Sequence, residues 1–162
     1  MSSESAFSKA ELIFLKALHD NHVRFMVIGM SAAILQGVPG TTLDIDLWFE
    51  SYTEEGVIDA CNQAGGTLCW RTTPPLILGV GLEDLDIVLK CHGLESFSDE
   101  YKKAITVDIK TDNNSIPLRV LPLSRIIKSK EASGRAKDLG ILPVLKDTLK
   151  LLKCKDTPRN EK

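Results

Sequence analysis

Between Leu43 and Phe49 the sequence reads Leu-Asp-Ile-Asp-Leu-Trp-Phe, with apolar and acidic residues alternating around two aspartates. A period of two is the pattern of a β-strand. It places Asp44 and Asp46 on one face, about 7 Å apart along the strand. Leu43, Ile45 and Leu47 fall on the other face and can enter a core. Two carboxylates side by side repel and are hard to keep ionised without a cation. Hard divalent ions with oxygen ligands suit such a pair, and two Mg²⁺ ions about 3.5–4 Å apart serve phosphoryl transfer. Taken alone, Asp-x-Asp in a strand is equally read as a solvated face.

The flanking sequence tells what surrounds this strand. Ser8-Lys9-Ala10-Glu11 has the form of a capping box, and Phe14, Leu15, Leu18 and His22 follow helical spacing, which predicts a helix over 8–21. Val23 to Ile28 is a short apolar run, a buried strand ending at Gly29. Ser31 to Gln36 is helical and stops at Gly37, and Thr53 to Ala64 is an amphipathic helix closed by Gly65-Gly66. Strands are expected at Leu76 to Val80 and Leu85 to Leu89. Val107 to Ile109 and Pro117 to Leu121 can pair across Thr111-Asp112-Asn113-Asn114. Leu123 to Ala132 forms a helix ended by Gly134, and Leu142, Leu145, Leu149 and Leu152 make the apolar stripe of a last one. The fold class is therefore α/β (α+β), with a mixed sheet of about five strands flanked by helices and further helices at the C-terminus. No Pro/Gly/Ser-rich linker interrupts it. Residues 1–154 read as one domain and 155–162 as a polar tail.

Composition narrows the class further. A chain of 162 residues suits one domain, and 43% hydrophobic with 26% charged residues describes a globular protein rather than a disordered one. No apolar run approaches the roughly 20 residues that span a bilayer, and the opening residues lack a signal-peptide pattern. The four cysteines form no Cys-x-x-Cys pair and read as reduced and mostly buried, so a cytoplasmic location is expected without zinc. The net charge of −2 conceals a division. Residues 1–100 hold 5 basic and 15 acidic side chains, a balance of −10, while residues 101–162 hold 15 basic and 7 acidic, a balance of +8. Such asymmetry often marks a site for an anionic partner.

Three further features bear on Asp44 and Asp46. The strand ending at Ile28-Gly29 meets the next helix with almost no connection, which aims helix N-terminal N–H groups at whatever lies above the turn. Asp86 stands near the start of the apolar strand Leu85 to Leu89, where a charge is poorly tolerated unless paired or metal-bound. Gly37-Val38-Pro39-Gly40-Thr41-Thr42 leads directly into the aspartate strand. In the basic half, Lys128, Lys130, Arg135 and Lys137 form the densest cationic group, and Asp138 reads as an N-cap or a partner of Arg135. An exposed helix end explains such lysines equally well. His92 reads as incidental, and Trp48 and Trp70 as core or rim residues.

The order Gly29-Met30-Ser31, Gly37, Thr42-x-Asp44-x-Asp46 and a third aspartate on a later strand resembles the polymerase-beta-type nucleotidyltransferase superfamily. The stretch Leu121-Pro122-Leu123-Ser124-Arg125-Ile126-Ile127-x-Ser129-Lys130, followed by Gly134-Arg135-x-Lys137-Asp138-Leu139, is similar to its minimal and toxin–antitoxin branch. The likeness covers residues 23–152. It implies Asp44 and Asp46 as catalytic metal ligands and Asp86 as the third carboxylate, which helps activate an acceptor hydroxyl. It further implies a two-metal Mg²⁺ site, an NTP such as ATP as substrate, and nucleotide contacts from Gly29, Ser31, Lys130, Arg135 and Lys137. Met30 departs from the small residue that usually follows the glycine. The function expected is transfer of a nucleoside monophosphate from an NTP to an acceptor hydroxyl of a protein or RNA. The alternative is a non-catalytic module of the same fold, an antitoxin-like partner of a toxin-type protein or of RNA. A third reading is a plain nucleic-acid binder using the basic tail, with affinity that falls steeply with salt.

Overall fold

Ser8 opens the first helix as its spacing with Glu11 predicts. In the computed structural model, which describes residues 7–156, the Ser8 Oγ accepts from the Glu11 N–H at 3.1 Å and the Glu11 carboxylate accepts from the Ser8 N–H at 2.7 Å. Helix α1 (Lys9–Asp20) then leads to strand β1 (Phe25–Ile28), helix α2 (Gly29–Leu35) and strand β2 (Ile45–Phe49). Helix α3 (Glu55–Gln63) precedes three short strands, β3 (Thr67–Cys69), β4 (Leu76–Leu78) and β5 (Leu85–Val88). Helix α4 (Phe97–Lys103) is followed by the hairpin β6 (Ile105–Lys110) and β7 (Ser115–Val120), and the chain closes with α5 (Leu123–Ser133) and α6 (Ala136–Asp156). The α+β class with a mixed five-stranded sheet stands. No helix among the described residues is long and apolar enough to cross a membrane.

The main sheet has the order β5-β2-β1-β7-β6. β2 lies antiparallel to β1 and parallel to β5, so the aspartate strand has a partner on each side. Its register sets Asp46 opposite Ile28 on β1 and opposite Asp86 on β5. In parallel neighbours, paired residues point to the same face. Asp46 and Asp86 therefore share a face.

Both faces of β2 are covered, which its alternation alone does not show. Ile45, Leu47 and Phe49 lie buried on one side, while Trp48, on the aspartate side, meets Phe97 of α4 edge-on at 5.6 Å. Only the carboxylate end of that face stays open. Leu43 is the correction: it lies ahead of β2 and is 79% exposed, because the ladders to β1 and β5 begin at Asp46 and Ile45. The strand expected from Leu76 exists but pairs with β3 in a separate two-stranded sheet. β3 and α4 were not foreseen; β3 spans three residues, and the cue for α4 is Ser96, whose Oγ accepts from the Asp99 N–H. The last helix starts at Ala136 and continues through Lys155 and Asp156, so the boundary set at 154 falls inside it; residues 157–162 lie outside the described residues.

Two polar devices and a glycine turn set the position of α5. Gln36, just after α2, accepts from the Leu123 N–H at 2.9 Å and donates to the Leu121 and Ala32 carbonyls at 2.9 Å each, which supplies a cap that Pro122 cannot. Arg125 forks onto Glu100 of α4 at 2.9 and 2.5 Å. Glu100 is 0% exposed; burial pushes its carboxyl up, but the Arg125 bonds, the Glu95 N–H and the Lys103 charge outweigh it and hold it below the ordinary range. At the far end Gly134 adopts φ 64° and turns the chain into α6.

Candidate active site

The carboxylate end of β2 is one wall of a cleft of about 380 Å³. Asp44 and Asp46 line it together with Gly29 and Ile28; the facing wall is built from α5 and the start of α6, with Lys130, Ser133, Arg135, Lys137 and Asp138. Residues from the −10 and +8 parts of the chain thus line one space.

Gly29 is required at its position for two reasons. Its φ of 67° lies in the left-handed region. A Cβ added there would also stand 2.6 Å from the Asp46 Oδ2. The Asp46 carboxylate therefore rests over bare backbone at the first residue of α2. Met30, the departure from the usual small residue, packs against the hydrophobic core and is not among the residues lining the cleft.

The charges on the acidic wall are only partly compensated. Burial, and then the neighbouring Asp86 and Asp44 carboxylates, raise the pKa of Asp46, while the Lys130 and Lys137 charges pull it back in part. Burial, and then Asp44 and Asp84, raise that of Asp86. Among the described residues, the side chains of Asp44, Asp46 and Asp86 take part in no hydrogen bond or ion pair. The donor set is all oxygen and hard, which fits Mg²⁺ in kind. Among the described residues, however, no group of three or more His, Cys, Asp or Glu side chains is gathered closely enough to hold a metal ion.

The basic wall is organised differently. Asp138, 2% exposed, accepts from the Lys130 Nζ at 2.9 Å, from the Ser133 Oγ at 2.5 Å and from the Arg135 Nε at 2.8 Å. Burial pushes its carboxyl up, yet these three bonds and the Lys130 charge hold it well below the ordinary range. Asp138 is the partner of Arg135 that the sequence suggested, and of Lys130 and Ser133 as well.

Of the residues singled out from sequence, the cleft gathers Gly29, Asp44, Asp46, Lys130, Arg135 and Lys137. Asp86 is beside Asp46 by register but is not part of the lining. Ser31 turns away: it is buried, its Oγ donates to the Ile28 carbonyl at 3.1 Å, and it lines a separate cavity of about 350 Å³ with Phe7, Glu11 and Thr42. Lys90, Cys91 and His92 line the cleft unforeseen, since they follow β5 where no motif marks them. Burial, with Asp46 and Glu100 nearby, pushes the Cys91 thiol up to about 12.

No protein-family model matches the sequence, and no curated protein matches it. In structure the chain is similar to the antibiotic-resistance factor ANT(2'')-Ia, with a TM-score of 0.54 over 90% of this chain and 88% of that one, at 15% sequence identity. At that identity the likeness concerns the fold alone, the α+β arrangement with a five-stranded mixed sheet.

Proposed function

We propose that this protein is a metal-dependent nucleotidyltransferase that moves a nucleoside monophosphate from an NTP to an acceptor hydroxyl. The observation that carries this reading is the Asp46 carboxylate resting on Gly29, set beside Asp86 by strand register and sharing a cleft with Asp44, Lys130 and Lys137. Asp44 and Asp46 would hold Mg²⁺, and divalent ions there would offset charge on the phosphates and on the attacking and leaving oxygens. The chain's own residues supply the rest. Gly29 offers a backbone that a phosphate can approach closely, Arg135 and Lys137 offer cations to its oxygens, and Lys130 offsets the charge of Asp46. Asp86, on the exposed edge strand, is the carboxylate with room to accept a proton from an acceptor hydroxyl.

The experiment is incubation with Mg²⁺ and each labelled NTP, with RNA and protein acceptors screened for transfer. Label transfer that is lost in Asp44→Ala and Asp46→Asn supports the reading. Absence of both NTP and ion binding would overturn it. The position of Ser31 favours a second reading, a non-catalytic module of this fold that binds a protein or RNA partner, because it removes one expected phosphate contact. In that case Asp44→Ala leaves partner binding unchanged.

A further inference from the structure

The basic wall of the cleft contains a carboxylate where a phosphate-binding surface has no evident use for one. A buried acid facing an anion site weakens it unless the acid serves the cations themselves. Asp138 is almost completely enclosed and spends both oxygens on neighbours: Oδ1 on the Lys130 Nζ, and Oδ2 on the Ser133 Oγ and the Arg135 Nε. Its three donors differ in freedom. The Lys130 side chain is 13% exposed, whereas that of Arg135 is 70% exposed. Lys130 is thus held in one place, and Arg135 is bonded to Asp138 but open to solvent along most of its length. Lys130 also reaches the space in front of the opposite wall, since it lines the same cleft as Asp46.

We propose that Asp138 is a positioning residue: it fixes the Lys130 ammonium opposite Asp46 as the static cation of the cleft, without itself touching a bound nucleotide. This rests on the nucleotide-site reading above and adds a division of labour to it. Lys130 is the fixed cation facing the aspartate wall, and Arg135 is the arm that can leave Asp138 for a phosphate while Lys130 and Ser133 keep that carboxylate satisfied. The geometry supports it independently of any ligand. α5 is anchored at its start by Gln36 and Arg125, and Asp138 closes its other end, where Lys130 projects.

The test compares wild type with Asp138→Asn, each checked for folding by circular dichroism, in two readouts. In the first, an amine-acylating reagent is applied without nucleotide, and acylation of Lys130 is followed by peptide mass spectrometry. Loss of a charge-assisted hydrogen bond corresponds to about 10- to 100-fold, so acylation of Lys130 is expected to speed up by at least about tenfold. In the second, affinity for a fluorescent ATP analogue with Mg²⁺ is expected to fall about tenfold in Asp138→Asn. It should fall no further in the Lys130→Met, Asp138→Asn double variant than in Lys130→Met alone. Unchanged Lys130 acylation overturns the proposal, as does additive loss of affinity in the double variant. If wild type binds no ATP analogue, the proposed function fails, and the acylation rates alone decide whether Asp138 fixes Lys130. Should Asp138→Asn not fold, Asp138→Glu keeps the charge, shifts the carboxylate by one methylene and is judged by the same two readouts.

Discussion

The two walls of the cleft are both organised around an aspartate, and the aspartates are in opposite situations. Asp46 sits among like charges, and burial together with Asp86 and Asp44 raises its pKa. Asp138 sits among three donors that hold its pKa down against burial. One carboxylate lacks partners and the other has a full set. In a folded protein a satisfied buried charge is part of the scaffold, whereas a group of unsatisfied ones is kept at a cost in stability and marks where a ligand acts. The contrast assigns chemistry to the β2 wall and support to the α5–α6 wall.

The comparison breaks most visibly in catalysis. Asp46→Asn is expected to lower nucleotidyl transfer by about 10²-fold or more, because a metal-holding carboxylate is worth several kcal/mol in the transition state. Initial rates of label transfer at saturating Mg²⁺ and NTP measure it. Retained activity would move the chemistry away from this wall.

The next effect is on folding and falls on the opposite wall. Asp138→Ala leaves Lys130 without its partner in a nearly closed site, and removing one member of a buried pair costs about 3–5 kcal/mol. Urea unfolding reads this directly. The pH dependence follows from the sign of the shift. Asp138 has a depressed pKa when folded, so its stabilising contribution is present above the unfolded-chain value of about 4 and disappears as pH falls through the folded value. The stability gap between wild type and Asp138→Ala should therefore close in acid.

A smaller effect sharpens the seat of Asp46. Gly29→Ala imposes a left-handed conformation costing about 1–2 kcal/mol, and its methyl displaces the carboxylate above it. Loss of Mg²⁺ affinity in a variant that remains folded would mark Gly29 as part of the site, while an intact affinity would reduce it to a turn residue.

The smallest effect has the opposite sign to that of Asp138. Because the pKa of Asp46 is raised on folding, ionising it works against the fold, and the penalty grows as pH rises through the raised value. Asp46→Asn should therefore stabilise the metal-free protein at neutral pH by up to about 1 kcal/mol, roughly 2–4 °C in melting temperature. Added Mg²⁺ should then raise the melting temperature of wild type but not of the variant. An Asp46→Asn protein less stable than wild type without metal would erase the difference between the walls.

Much of this was legible in the sequence, for identifiable reasons. The Leu43 to Phe49 alternation and the Ile28-Gly29 junction are local signals, and they place Asp46 over Gly29 once the strands pair. What the sequence could not show depends on partners far along the chain. The second layer over Trp48 comes from Phe97, and the exposure of Leu43 follows from where the β1 and β5 ladders begin. Ser31 follows a glycine turn in the expected place, yet its hydroxyl closes on the Ile28 carbonyl and turns away from the cleft. The Asp138 cluster lies between: its donors Lys130, Ser133 and Arg135 are all within eight residues of it, but only the turn at Gly134 shows that they converge. Glu100 and Arg125, 25 residues apart, gave no sequence cue at all.

Calorimetric titration of Mg²⁺ with a non-hydrolysable ATP analogue into wild type and Asp46→Asn tests the central claim most directly. The account predicts joint binding of ion and nucleotide by wild type and affinity weaker by about tenfold or more, at least 1.4 kcal/mol, in the variant. Equal affinity in the two proteins, or no binding by either, would contradict it.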